Sequence, residues 1–151
     1  PGDPGLEEKK MTTNPDLAVI YSYTRAQALD DGMLVDVTET AREAGVKHPT
    51  ALTAAVWADY VTVPAELDGQ DEMGRLWDIL FLFAMAARSG RITGVEGTFE
   101  VLIAKPDKGD WRENETANEG NRRQRLVTLK AMCGPSDDGS PCITIMRPEE
   151  D

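Results

Sequence analysis

Few residues of this chain belong to types that do chemistry, and their spacing matches no familiar catalytic arrangement. His48 is the sole imidazole in 151 residues. It stands between Lys47 and Pro49, as a loop residue ahead of an expected helix, and no Ser or Cys nucleophile motif accompanies it. Cys133 and Cys142 are the only thiols, so with one histidine the chain falls short of the four ligands of a structural zinc site. The sequence has no Gly-rich phosphate loop and no zinc-protease helix motif. No cofactor, no metal and no catalytic residue is therefore assigned. Asp59, Asp71 and Glu72 lie in sequence near Trp57, Tyr60 and Trp77, a set that would suit a pocket with paired acid and base groups. The plainer reading puts Trp57 and Trp77 in the core and the carboxylates near helix starts, where the helix dipole favours negative charge.

Two groups of arginines offer binding chemistry instead. Arg25 can hold an anion while Asp36 accepts its hydroxyls, with Tyr23, Gln27, Asp30 and Asp31 in the same polar segment. The alternative is an Arg to Asp pair that fixes a helix against a strand. Further on, Arg122, Arg123 and Arg125 form a basic knot near Trp111, able to grip phosphate or stack on a base. Asp107, Asp110, Glu113, Glu115 and Glu119 share that stretch and would neutralise it, which favours a solvated loop of mixed charge. The candidate ligand or partner contacts are thus Arg25, Asp36, Trp111, Arg122, Arg123 and Arg125.

Charge narrows the class of partner. The chain has 27 Asp and Glu against 16 Lys and Arg, a formal net charge of −11. Association with a phosphate backbone needs positive charge to release counterions, so nucleic acid is disfavoured. An acidic surface can present carboxylates where phosphates would lie, as a decoy for DNA-binding proteins, or it can simply confer solubility. The sequence has neither an apolar run of bilayer length nor a basic region followed by an apolar core at its start, which predicts a cytoplasmic protein without membrane contact. Two sparse cysteines fit a reducing compartment. They flank a Gly, Pro and Ser-rich turn and would approach each other if the hairpin were symmetric about it.

The elements that must position these residues read as an α+β fold. Residues 1–16, rich in Pro, Gly and charge, predict a disordered leader with Met11 as a possible natural start, followed by one domain over 17–151. Order is expected from 18–23, then a short helix over 25–31 capped by Thr24 and stopped by Gly32, a strand over 33–37, and a second helix capped by Thr38 and stopped by Gly45. Pro49 opens a third helical segment with Leu52, Ala55, Val56 and Tyr60 at helical spacing, before Pro64. The longest helix is expected over 70–89, largely buried, with Met73, Leu76, Trp77, Leu80, Phe83, Ala84 and Ala87 on its apolar stripe. Beyond Gly90 the period becomes two. Phe99, Val101 and Ile103, then Val127, Leu129 and Ala131, then Ile143 and Ile145 predict a small antiparallel sheet of three or four strands, with a long loop at 106–124.

The run from Tyr23 to Thr38, YTRAQALDDGMLVDVT, resembles the opening signature of an uncharacterised bacterial family, a domain of unknown function often carried on plasmids and other mobile elements. Ala55-Val56-Trp57-Ala58-Asp59, Gly74-Arg75-Leu76-Trp77-Asp78 and the stretch from Val127 to Pro135 are similar to it as well. The resemblance implies no activity and no catalytic residue. It implies a protein that helps a mobile element persist in its host. The reading favoured on these grounds is a non-enzymatic accessory domain that binds another protein, through the 106–124 loop or the acidic helices. Salt-sensitive association with a basic host protein is its expected signature. The alternative is a small enzyme or ligand-binding domain with a pocket near Trp57 and Trp77 and a carboxylate raised by burial.

Overall fold

The computed structural model describes residues 24–150. The leader, the segment 18–23 and Tyr23 lie outside the described residues. Helix α1 (Arg25–Asp30) starts as its sequence dictates: the Thr24 hydroxyl accepts from the Gln27 N–H and the Gln27 side chain returns a bond to the Thr24 N–H, closing a capping box. Gly32, at φ +79°, then turns the chain into strand β1 (Leu34–Asp36). Helix α2 (Thr38–Glu43) follows, but Thr38 is its first residue and not its cap. The Thr38 hydroxyl instead donates to Asp36 Oδ1 at 2.5 Å and accepts from the Thr50 N–H at 3.1 Å, joining β1 to the next strand.

That next strand replaces a helix expected from the sequence. Residues Thr50–Thr53 form β2, and only at Ala54–Val56 does a single helical turn, α3, begin, capped by the Thr53 hydroxyl. Tertiary context overrides periodicity here: β2 fills the slot between β1 and the C-terminal strand, and its β-branched threonines suit that site. From Trp57 to Val61 the backbone widens into a π-helical turn, closed by the Thr62 N–H on the Trp57 carbonyl. The wider turn brings the adjacent residues Tyr60 and Val61 both into the core.

Helix α4 (Glu72–Arg88) is capped by the Asp71 carboxylate on the Gly74 N–H at 2.6 Å and followed by Gly90 at φ +80°. Leu76, Ile79, Leu80, Phe83, Ala84 and Ala86 form its buried face. The expected stripe was thus half right: Met73, Trp77 and Ala87 are exposed, and α4 is amphipathic instead of largely buried.

Strands β3 (Glu96–Ala104), β4 (Glu115–Asn118), β5 (Asn121–Pro135) and β6 (Pro141–Met146) complete a six-stranded sheet of order β1-β2-β6-β5-β3, with β4 also on β5. The sheet is mixed, since β2 runs parallel to β6 while the other pairs are antiparallel. It is therefore larger than the three or four antiparallel strands that alternation predicts. The alternating residues do face one way: Phe99, Val101, Ile103, Val127, Leu129, Ala131, Ile143 and Ile145 are buried against α4, Val56, Tyr60 and Val61 in one cluster. Truncating such a buried Leu or Ile to Ala costs about 2–5 kcal/mol.

The stretch 106–124 is not a structureless loop. Glu115–Asn118 pairs with the first part of β5 through a tight reversal at Glu119 and Gly120, so Arg122, Arg123 and Arg125 are strand residues. The cysteines do not meet as the symmetric hairpin requires. Cys133 lies opposite Ile143 and Cys142 opposite Gly134, which places the two thiols on different faces of the sheet, both free.

Candidate functional site

The outer side of α4 carries Met73, Trp77, Phe81 and Met85, each four residues from the next. That spacing follows one ridge of an α-helix. All four are exposed, at 58%, 37%, 40% and 40%. Trp77 and Phe81 stack on each other with ring centroids 6.0 Å apart and planes 20° from parallel, so the centre of the ridge is a flat aromatic step. Asp78 is the one charged residue on the exposed part of the helix between Met73 and Ala87. Single exposed apolar residues are ordinary, whereas a contiguous uncharged ridge on a protein of this acidity is not. At Met73 the ridge joins an open cleft of about 570 Å³ that Leu76, Trp57, Val37, Thr38 and Arg42 also line.

The register of α4 is set from its inner side. Arg75 is buried, and its Nε donates to the Tyr60 carbonyl at 3.0 Å while its Nη1 donates to the Ala104 carbonyl at 2.9 Å. Burial pushes the guanidinium below its usual value, opposed by the nearby Asp78 carboxylate.

Beyond Tyr60 lies a buried polar knot. Arg125, 0% exposed, donates to Glu115 Oε1 at 2.8 Å, to Asp110 Oδ1 at 2.7 Å and to the Pro106 carbonyl at 2.7 Å, and lies 4.1 Å from the centre of the Trp111 ring. The Tyr60 hydroxyl donates to the other Glu115 oxygen and accepts from Asn114 Nδ2. Burial raises the Tyr60 hydroxyl far above its usual range, and the Glu115 carboxylate adds to this. Burial also pushes Glu115 upward, but hydrogen bonds from Tyr60 and Arg125 outweigh it and hold the carboxyl below its usual value. A carboxylate locked between a cation and a phenol is an acceptor, not a proton donor at neutral pH.

The residues singled out from sequence fall into two groups. Trp111, Arg122 and Arg125 come together, with the Arg125 and Arg122 guanidiniums 4.1 Å and 5.6 Å from the centre of the Trp111 ring; Arg122 also pairs with Asp107 at 2.8 Å, and Arg123 reaches the Glu66 carbonyl at 3.4 Å. Each of these arginines thus has a partner within the chain. Arg25 donates to the Thr144 hydroxyl at 2.7 Å and the Ile143 carbonyl at 2.9 Å, fixing α1 on β6. Asp36 is engaged by Thr38, yet both Arg25 and Asp36 line an open cleft of about 400 Å³ with Asp137 and Asp138. Among the described residues Trp57 lines the cleft beside α2, and Trp77 stands on the ridge. Asp71 caps α4, Asp59 pairs with Arg112 and Arg147, and His48 is exposed in its loop.

Among the described residues no group of three or more His, Cys, Asp or Glu side chains is placed to hold a metal ion, and no helix is long and apolar enough to cross a membrane. The displaced carboxyls, Glu66, Asp107, Asp110, Glu115 and Asp138, are all displaced downward by hydrogen bonds from neighbouring donors. No protein-family model matches the chain, and no curated protein or solved structure matches it. The ridge is hidden in the sequence because Met73 and Trp77 share helical spacing with the buried stripe. Its signal was present: with Phe81 and Met85, apolar residues encircle α4 more completely than one buried face requires.

Proposed function

We propose that this is a non-catalytic, protein-binding domain that acts through the outer ridge of α4. The observation that carries this reading is the four-residue apolar ridge with its stacked Trp77 and Phe81 on a chain of net charge −11. Aromatic and Met side chains dominate the energetics of protein interfaces, and charged residues are depleted at their centres. Among the described residues the carboxyls displaced from their usual values are all lowered, which suits acceptors and not general acids. On the sequence resemblance to an uncharacterised bacterial family often carried on mobile elements, which no family model supports, such a domain would serve as an accessory protein that helps the element persist.

A photo-crosslinking amino acid placed at Phe81, and separately at Thr98 on the opposite side of the sheet, tests the reading in the host cell. Protein adducts are expected from position 81 only, and Trp77→Glu should abolish them. Equal adducts from both positions, or none from position 81, refute it. A second reading, a small-ligand site, is favoured by the cleft where Trp57 and Arg42 converge. A metabolite that raises the melting temperature of the wild type but not of Arg42→Ala would support it.

A further inference from the structure

We infer that the surface seated on the α4 ridge is the same ridge of a second copy, packed antiparallel about a two-fold axis near residue 79. The inference rests on the protein-binding reading above and names its partner.

An isologous contact requires that residue i meets j and j meets i. The ridge satisfies this in its residue types. Met73 and Met85 lie equally far from position 79, and so do Trp77 and Phe81. In an antiparallel pair each Met therefore faces a Met and each aromatic faces an aromatic. Packing of two such four-residue ridges into each other's grooves is the commonest helix pairing in globular proteins, with axes crossing at about 50°.

Charge favours the same arrangement. Two copies of net charge −11 repel wherever their acidic surfaces meet, so a self-contact must lie where charge is scarce. The ridge is that place. Its ends are also complementary: exposed Asp68 and Asp71 flank the N-terminal end of α4, and exposed Arg88 and Arg91 flank the C-terminal end. Antiparallel pairing sets the acidic end of each helix against the basic end of the other, twice over. It also opposes the two helix dipoles.

Arg91 follows the C-terminal end of α4 and Asp68 precedes its N-terminal end, twelve and eleven residues from position 79. Both are exposed, so antiparallel pairing brings Arg91 of one copy toward Asp68 of the other. Within one chain the length of α4, roughly 25 Å at 1.5 Å per residue, separates them, and they cannot compensate for each other.

Sedimentation velocity on the purified full chain, from micromolar to near-millimolar concentration, tests the inference. The expected result is a reversible equilibrium between the 16.5 kDa chain and twice that mass. Phe81→Glu should leave only monomer, with an unchanged circular dichroism spectrum. Arg91→Glu, an exposed change beside the Ser89 hydroxyl, should weaken the dimer roughly tenfold, as expected for two lost rim pairs. Arg91→Glu with Asp68→Arg should restore affinity to within about threefold of wild type, because each new pair forms across the axis. A chain that stays monomeric throughout, a dimer indifferent to Phe81→Glu, or a double variant no tighter than Arg91→Glu overturns the inference. Monomeric behaviour together with crosslinks from position 81 to a different protein overturns the dimer alone, whereas the absence of any such crosslink overturns the binding reading itself.

Discussion

Replacing Arg125 by Met is expected to destabilise the fold by about 3–5 kcal/mol at neutral pH. The magnitude comes from one of its partners. Asp110 is 57% exposed, so water compensates its carboxylate and that pair contributes at most about 1 kcal/mol. Glu115 is as fully buried as Arg125, and without the guanidinium its charge keeps only the Tyr60 hydroxyl and the Arg112 N–H. An uncompensated buried charge is what makes breaking such a pair so costly. The guanidinium also lies over the Trp111 ring; Met keeps apolar volume there and loses only the cation–π contact, about 0.5–2 kcal/mol, a smaller part. Urea unfolding followed by circular dichroism measures the change through its midpoint, provided the slope is unchanged. The pH dependence isolates the cause. In the wild type the Glu115 carboxyl is depressed, so its contribution is present above the unfolded value of about 4.3 and is lost as pH falls through the lower folded value. In the variant, burial acts without the cation and raises the carboxyl. The deficit should then be largest at neutral pH and shrink as pH approaches about 4. Adding Glu115→Gln removes the charge while keeping an acceptor for Tyr60, and should recover about 1–3 kcal/mol. A deficit below about 1 kcal/mol, or one that is constant from neutral pH to about 4, would refute the claim that Arg125 is there to hold Glu115.

Tyr60→Phe removes the hydroxyl that donates to Glu115 and accepts from Asn114, and should cost about 1–3 kcal/mol in the same assay. Because the Tyr60 hydroxyl is raised in the fold, wild-type stability should be full below the unfolded tyrosine value of about 10 and decline as pH rises above it, a decline that Tyr60→Phe should reduce. Gly45→Ala should lower stability by about 1–3 kcal/mol, since position 45 holds φ +102° and an added Cβ would collide with the Arg88 guanidinium. A melting temperature equal to wild type would show that Arg88 and the turn adjust freely.

Local signals made several elements legible. Thr24, Gly32 and Gly90 mark helix ends by chemistry that acts within a few residues, and α1 and α4 end where they put them, while the Gln27 half of the capping box and the Asp71 cap are seen only in the structure. Period two exposed the faces of β3, β5 and β6 because each buries one side against α4. What failed were decisions made by distant partners. Thr50–Thr53 has helical spacing with the residues after it, and only the gap between β1 and β6 makes it a strand. The segment 106–124 reads as polar loop because its charges answer one another across space: Arg125 with Glu115 and Asp110, Arg122 with Asp107. The same pairing gives Arg122 and Arg125 partners within the chain. Spacing also cannot say which of two apolar stripes on α4 faces the core, so Trp77 was assigned to the wrong one.

The knot and the ridge are connected through Arg75. A helix held to a sheet by apolar packing alone is weakly fixed along its axis, because dispersion contacts are non-directional and one side chain replaces another after a turn. Two hydrogen bonds from Arg75 to main-chain carbonyls remove that freedom, and their acceptors belong to Tyr60 in the π-helical turn and Ala104 at the end of β3. The side chain of Tyr60 is in turn fixed by Glu115, which Arg125 holds. A chain of directional bonds therefore runs from the β4 and β5 hairpin, through the π-helical turn, to the inner side of α4. A surface fixed in advance loses less conformational entropy when a partner covers it. On the protein-binding reading, the polar knot would bear on binding without touching the partner, because the buried charges of Arg125 and Glu115 fix Tyr60 and so the turn that Arg75 grips.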